Sequence, residues 1–398
     1  MTFGNWLSQI FVVTRFSLQS VPERKGAAAA TVFGIAGVVA VLVGVLSIGY
    51  GFRQAMTAAG QEDCALVMRT GSDNEMTSNL TMEEGKVVAD SAHLVRNENG
   101  PIASIELYAI INLPKRSTGT DANIPLRGVN AQAYAVRKNL KIVAGRKFEP
   151  GRNEIVVGRG AANEFAGLEL GNKIPVAGQQ WTVVGIFTSN GGIAESEMWA
   201  DAPLVQQTYH RGSTFQTVYC KVKSASDYQA FSDELMSDPR IKVTVKRESE
   251  YYADQSRVLF SIITGLGTVV AVLMAIGAVF GALNTMYSAV AARTREIATL
   301  RALGFGTTPV IISVLIESLV LALVGGLIGG AVAYVMFDGY QAATMNFQSF
   351  SQVAFAFAVT PQLLVQGAIF AAVIGFFGGL FPAIRAARMQ IAPALREM

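Results

Sequence analysis

RTREIATLRALGFGTTPVIISVLIESLVLALVGGLIGG, residues 293–330, joins two stretches of opposite character. Its first twelve residues hold three arginines and a glutamate, whereas the run after Pro309 is almost wholly apolar, with Glu317 the one carboxylate inside it. On a helix, Ile297, Leu300 and Leu303 share one face, with Arg293 and Glu296 beside it. Gly304 is placed to end that helix as a C′ residue. A connector that only reverses the chain needs a tight turn. A helix with an apolar stripe and a sharp end reads instead as a surface offered to a partner. Taken alone, the arginines have a simpler reading, the excess of positive charge that cytoplasmic loops carry.

Outward from this stretch, 51% of the 398 residues are hydrophobic and only 15% charged, against about a quarter charged in a soluble domain. Apolar runs of about 20 residues, the length that crosses a bilayer, cover Ala27–Tyr50, Val258–Leu283, Val310–Phe337 and Leu363–Ile384. The first is too long for a cleaved leader and lacks a small-residue cleavage site, so it is expected to remain as a span. Arg15, Arg24 and Lys25 precede it; Arg293, Arg295 and Arg301 fill the next connector; Arg385, Arg388 and Arg396 close the chain; residues 338–361 hold no Lys or Arg. Positive charge on the inner side therefore puts both termini and the 285–308 connector in the cytoplasm, and the long segment between the first two spans outside. The expected order is an amphipathic helix along the inner surface over 1–25, with Phe3, Trp6, Leu7, Ile10 and Phe11 at helical spacing. Spans follow over 26–50, 257–284, 309–337 and 362–384, with an outer domain over 51–256. A short outer loop lies over 338–361 (a brief strand or the frayed end of a span) and a tail over 385–398.

The outer domain reads as mixed α/β. Cys64–Arg69 is strand-like, Thr81 with Glu84 forms a capping box for a helix to about Ser91, and Ile102–Ile110 alternates as a strand. The order returns at Thr217–Val222, Asp227–Met236 and Lys242–Arg247. Between the halves lies a glycine-rich insert with short strands EIVVG, KIPVAG and QWTVVGIF. The reading is a two-lobed domain: a β-α-β plus β-α-β platform carrying a β-rich insert. Cys64 and Cys220 both fall in it and leave two alternatives open, a disulfide or two buried thiols.

Catalytic patterns are missing. His93 and His210 stand far apart without companion ligands, so no metal centre is expected, and neither G-x-S-x-G nor a P-loop is present. The spans carry too few ionisable groups to line a route for a polar solute. They carry small residues four apart instead: Gly277 and Gly281, Gly325 and Gly329, Gly326 and Gly330, Gly375 and Gly379. Such faces let helices approach closely, within one four-helix unit or across a dimer.

The segment YSAVAARTREIATLRALGFGTTPVIISVLIESLVLALVGGLIGG resembles the signature of the MacB/FtsX-like permeases of the type VII, or mechanotransmission, ABC transporters. The ending FPAIRAARMQIAPALREM is similar to their close, and GRKFEPGRNEIVVGRGAANEFAGLELGNKIPVAGQQWTVVGIF to their periplasmic core domain. The resemblance implies a four-span permease of the bacterial inner membrane with a large periplasmic domain. It implies a homodimer, or a heterodimer of related subunits, each bound to a cytoplasmic ATPase that carries the ATP and magnesium, this chain holding no cofactor. It implies that Arg293, Arg295, Glu296, Ile297, Leu300, Arg301, Leu303 and Gly304 form the coupling helix that docks on the ATPase, and that motion passes through a stalk formed by Gly51–Ala59 and Ser249–Arg257. Glu317 matches the family's acidic residue early in the third span, either paired with an arginine of the coupling region or snorkelling. The function implied is ATP-driven outward movement of substrate with a periplasmic adaptor and an outer-membrane duct. Lipoprotein release, or regulation of a cell-wall hydrolase, are the alternatives within the family.

Overall fold

The structure is a computed structural model that describes residues 3–58 and 60–390; Ala59, the tail from 391 onward including Arg396, and the side chains of Phe3, Asn5 and Leu7 lie outside the described residues. In chain order the principal elements begin with α1 (Phe3–Gln19), α2 (Lys25–Thr57), β1 (Cys64–Arg69), α3 (Met82–Ala89), β2 (Ala103–Pro114) and β3 (Asp121–Val129). There follow β4 (Lys141–Gly145), β5 (Glu154–Gly158), β6 (Lys173–Val176), β7 (Gln179–Thr188), β8 (Met198–Asp201), β9 (Thr217–Lys221), α4 (Asp227–Ser237) and β10 (Val243–Arg247). The chain closes with α5 (Glu248–Ala292), α6 (Thr294–Ala302), α7 (Thr307–Phe337), β11 (Gln341–Asn346), β12 (Ser351–Ala356) and α8 (Pro361–Arg388). They divide into a helical unit (residues 1–49, 262–339 and 358–398) and an α/β unit (residues 50–261 and 340–357).

Among the described residues, four helices are long and apolar enough to cross a membrane by length and composition. Pro22 sits in the 3₁₀ turn Val21–Arg24 that separates α1 from α2. The α1 helix buries Val13 and Ser17, one turn apart, and leaves Phe11, Val12 and Phe16 exposed. Its apolar surface is therefore split between a packing face and a free one. The glycine pairs sort themselves by what a side chain at each would strike. A Cβ on Gly329 would stand 2.4 Å from the Ala36 carbonyl oxygen and one on Gly325 2.8 Å from that of Val32, so this pair seats α7 on α2. Gly326 faces Ala371, while Gly375 and Gly379 face Ala322 and Ser318, so α7 and α8 meet through small residues on both sides. Gly277 and Gly281 on α5 meet nothing within 4 Å. Gly329→Ala is accordingly expected to lower stability by about 1–3 kcal/mol through overpacking. Gly277→Ala should stay within about 0.5 kcal/mol, as thermal unfolding of the two purified variants would show.

The α/β unit is organised by one sheet of ten strands in the order β10-β1-β9-β2-β3-β8-β5-β7-β4, with β6 pairing the first residues of β7. Its first four strands, with α3 and α4, form the expected platform. The order β10-β1-β9-β2, all antiparallel, is the β-α-β-β-α-β arrangement of ferredoxin-like domains. The capping box of α3 forms: Thr81 Oγ1 accepts from the Glu84 amide at 3.1 Å and Glu84 Oε2 accepts from the Thr81 amide at 2.8 Å. The insert is not a separate layer, because the long β2–β3 ladder carries the platform sheet straight into it. Beyond β3 the sheet becomes mixed, β8 running parallel to β3 and β7 parallel to β5. Three cores line it among the described residues, one with Val67, Val218 and Phe231, a second with Leu126, Trp181 and Met198, and a third with Val156, Phe187 and Trp199. The 338–361 loop is neither a lone strand nor a frayed helix. Its β11–β12 hairpin joins the α/β unit, Asn123 Nδ2 donating to the Phe350 carbonyl at 2.7 Å, Ser196 Oγ accepting from the Ala354 amide at 2.9 Å, and Asn346 Nδ2 donating to Gln255 Oε1 at 2.9 Å.

The two cysteines are free and buried. Antiparallel register pairs Ala65 with Cys220 and Cys64 with Lys221. Since side chains alternate along a strand, the two thiols project to opposite faces of the sheet, and the disulfide alternative is corrected. Burial pushes the Cys64 thiol up to about 12, which leaves it unreactive at neutral pH.

Candidate functional site

The charged connector folds as α6, and its sequence explains both ends. Arg293 occupies the N-cap with φ −110° and gives no side-chain cap. At the other end Gly304 adopts φ +96°, a left-handed conformation that favours glycine. The Gly304 amide donates to the Arg301 carbonyl and that of Phe305 to the Leu300 carbonyl, both at 3.1 Å, closing the helix.

The residues expected to face a partner divide into two groups. Ile297 and Ala298 turn inward, and Ile297 packs among Met286, Val290, Val310 and Val314. Leu300 is half-buried, and Arg301 Nη1 donates to the Met389 carbonyl at 2.5 Å. Arg295, Glu296, Thr299 and Ala302 are exposed, and Leu303 is 73% exposed. The apolar stripe thus anchors α6 at Ile297 and displays it at Leu303. Arg293 and Ile297 are buried and anchor the helix within this unit rather than being displayed by it.

Arg293 instead enters a buried clasp on α7. Glu317, 1% exposed, accepts from Arg293 Nη2 at 2.5 Å, from Arg24 Nη2 at 2.8 Å and from Ser17 Oγ at 2.5 Å. Arg293 Nη1 also donates to Ser17 Oγ at 2.8 Å and to Ser20 Oγ at 3.2 Å. One carboxylate therefore gathers the end of α1, the turn before α2, the start of α6 and the body of α7. A carboxylate inside an apolar helix is costly unless paired, and here two arginines and a hydroxyl hold it. The arrangement ties four segments of the helical unit to one carboxylate. Sequence reasoning missed Arg24, Ser17 and Ser20, because their spacing from Glu317 along the chain carries no pattern.

A second buried network lies in the α/β unit. Arg127 on β3 uses all its N–H groups: Nε and Nη2 to Glu197 at 2.9 and 2.7 Å, Nη1 and Nη2 to Glu75 at 2.7 and 3.0 Å, and Nη1 to Glu106 at 3.0 Å. Arg137 donates to both oxygens of Glu106 at 2.7 and 2.8 Å and stacks over Tyr219 at 3.9 Å. Burial alone would raise the Glu106 pKa, but Arg137 and Arg127 outweigh it and hold the carboxyl below the usual range. The signal in the sequence is an arginine within the strand NIPLRGV, where both neighbours are apolar or small. His93 pairs with Glu234 at 3.7 Å, and no group of three metal-ligating side chains occurs among the described residues.

Gly34 on α2 with Gly277 and Gly281 on α5 line an open groove of about 300 Å³ in the helical unit. On the same helix, Leu266, Leu273 and Phe280 are exposed.

Comparison with known proteins accounts for both units. Residues 28–237 match the MacB-like periplasmic core domain and residues 268–391 the FtsX-like permease C-terminal domain. An uncharacterized ABC transporter permease, YknZ of Bacillus subtilis, is 25% identical over 96% of this chain and 98% of its own length. The macrolide export ATP-binding/permease protein MacB of Bdellovibrio bacteriovorus is 26% identical over 95% of this chain but 60% of its own length. Among solved structures, the extracellular domain of YknZ aligns at TM-score 0.34 with 18% identity, covering 46% of this chain and 98% of that one. The periplasmic region of MacB from Actinobacillus actinomycetemcomitans aligns at 0.37 with 14% identity, covering 48% and 92%. The chain belongs to the MacB/FtsX-like family of ABC transporter permeases.

Proposed function

We propose that this chain is the permease of a mechanotransmission exporter of the bacterial inner membrane, driven by an ATPase that docks on α6 from the cytoplasm. The observation that carries the reading is the clasp: α6 is fixed to the helical unit through Arg293 and Glu317, while Arg295, Glu296 and Leu303 remain displayed. A push delivered to that displayed face would be passed to α7 and to the turn before α2 rather than absorbed by a loose loop. From α6, motion would travel along α5, which runs 45 residues without interruption. ATP and magnesium belong to the partner. Two copies of the permease would pair, the open groove at Gly277 and Gly281 being the small-residue surface left for it. Outward movement of substrate is suggested by the name of the macrolide export relatives, and an adaptor and an outer-membrane duct would carry it onward.

The docking element is tested by Arg295→Glu combined with Leu303→Asp. Neither residue is buried, so membrane insertion and thermal stability should stay as in the parent protein. Co-purification with the cytoplasmic ATPase should fall at least about tenfold, the effect of roughly 1.4 kcal/mol at an interface. Undiminished co-purification would remove α6 as the docking element.

A further inference from the structure

Glu248 is a buried carboxylate of the α/β unit that none of the cations around it serves. Glu248 is the first residue of α5. At 1.5 Å per residue this helix far exceeds the roughly 30 Å of a bilayer core. Its apolar stretch begins only at Val258, about three turns later. Glu248 therefore lies outside the span, within the α/β unit. It is 1% exposed, and its one hydrogen bond among the described residues comes from the Gln61 amide at 3.4 Å.

The groups around it explain why. Arg127 from β3 has spent its donors on Glu75, Glu106 and Glu197, and Arg137 from the turn after β3 gives both terminal nitrogens to Glu106. Lys221 from β9 is drawn away to Asp63 at 2.7 Å and to Gln61 Oε1 at 3.1 Å. The remaining titratable neighbours are Glu106 from β2, Cys64 from β1 and Tyr252 on α5 itself. Three carboxylates already face two guanidiniums here, so an ionised Glu248 would add a second uncompensated negative charge. Burial pushes its carboxyl up to about 7, Glu106 adding to the rise while Arg137 and the Gln61 amide oppose it.

The position matters as much as the charge. Gln61 leads the chain into β1, and Glu248 leads it out of β10. One residue from each, Gly60 and Ser249 touch so closely that a Cβ on Gly60 would stand 2.6 Å from the Ser249 Cα. We propose that Glu248 is a proton-operated latch at this joint, which holds the two chain segments together when neutral and releases them when ionised. An exposed carboxylate titrates near 4.5, so the closed joint binds the extra proton between about 4.5 and 7. Closure is strongest below that window and weakens as the pH rises through it.

Hydrogen exchange on the full-length protein in lipid nanodiscs tests this, read in peptides spanning residues 60–69 and 248–254 after correction for intrinsic rates. Protection should be about tenfold greater at pH 6 than at pH 8, the ratio given by a carboxyl that titrates near 7 closed and near 4.5 open. Glu248→Gln, neutral at every pH, should be protected equally at both. Infrared spectroscopy of the parent protein should show a protonated carboxyl band that fades between pH 6 and pH 8, a reading that does not depend on the variant folding. A pH-independent protection in the parent protein, an unchanged pH slope in folded Glu248→Gln, or the absence of that band at pH 6 would each overturn the latch.

Discussion

Glu317→Ala is expected to destabilise the helical unit by about 3–5 kcal/mol, the loss typical of removing one partner from a buried ion pair. The reason is what the substitution leaves behind. Arg293 and Arg24 would both face an apolar interior with no anion, and the hydroxyl of Ser17 would lose its acceptor. The segments gathered by Glu317 would separate before the spans themselves came apart, because the contacts of Gly325 and Gly329 with α2 do not involve it. Thermal unfolding of the solubilised protein would record the loss. Replacing Glu317, Arg293 and Arg24 together by methionine should recover most of it, since no buried charge then remains. A triple variant as unstable as Glu317→Ala would show that the clasp acts through shape and not through charge.

Arg127→Met should be as severe in the α/β unit, with the additional signature of a reversed pH dependence. In the parent protein the depressed Glu106 carboxyl contributes stability that is present above its ordinary titration range and is lost as the pH falls through its folded value. Without Arg127, Glu75 and Glu197 keep no cation and Glu106 keeps only Arg137. A buried carboxylate left without a cation is relieved by protonation, so the variant's stability should rise as the pH falls. The expected result is a loss of about 3–5 kcal/mol at pH 7 that shrinks towards pH 5. Trp199 reports it directly, because its indole Nε1 donates to Glu197 Oε2 at 2.8 Å; its fluorescence in denaturant at several pH values would give the slope. An unaltered slope would show that Arg127 does not set the charge state of its neighbours.

Features written in one short window of sequence were legible. The spans follow from apolar length, α3 from a capping box four residues long, and the end of α6 from one glycine. Features that depend on register or on distant partners were not. Cys64 and Cys220 both lie on buried strands, and only the pairing of Ala65 with Cys220 shows that they face apart. Ile297 and Leu303 look alike on a helical wheel, yet one is packed against α7 residues and the other is free. Glu317 carries the mark of a functional group, an acid in an apolar run, but its partner Arg24 comes from 293 residues earlier in the chain. The hairpin 341–356 was hidden by its composition: uncharged alternation suits a strand, and nothing in it says which sheet or domain will receive it.

That hairpin changes what a gene fragment of this protein can be. Residues 50–261 look like a self-contained module, but the fold completes them with eighteen residues encoded some eighty positions downstream, 340–357. Cut out alone, the module would lose the ring that Phe355 sets edge-on against Phe52 at 5.6 Å and the backbone of Ala356, against which Gly51 is packed too closely for any side chain. Recombination between relatives meets the same limit. A chimaera that exchanges the large insert without the small one would inherit two halves of one surface from different ancestors, so these stretches are expected to travel together through evolution although nothing in the reading frame ties them.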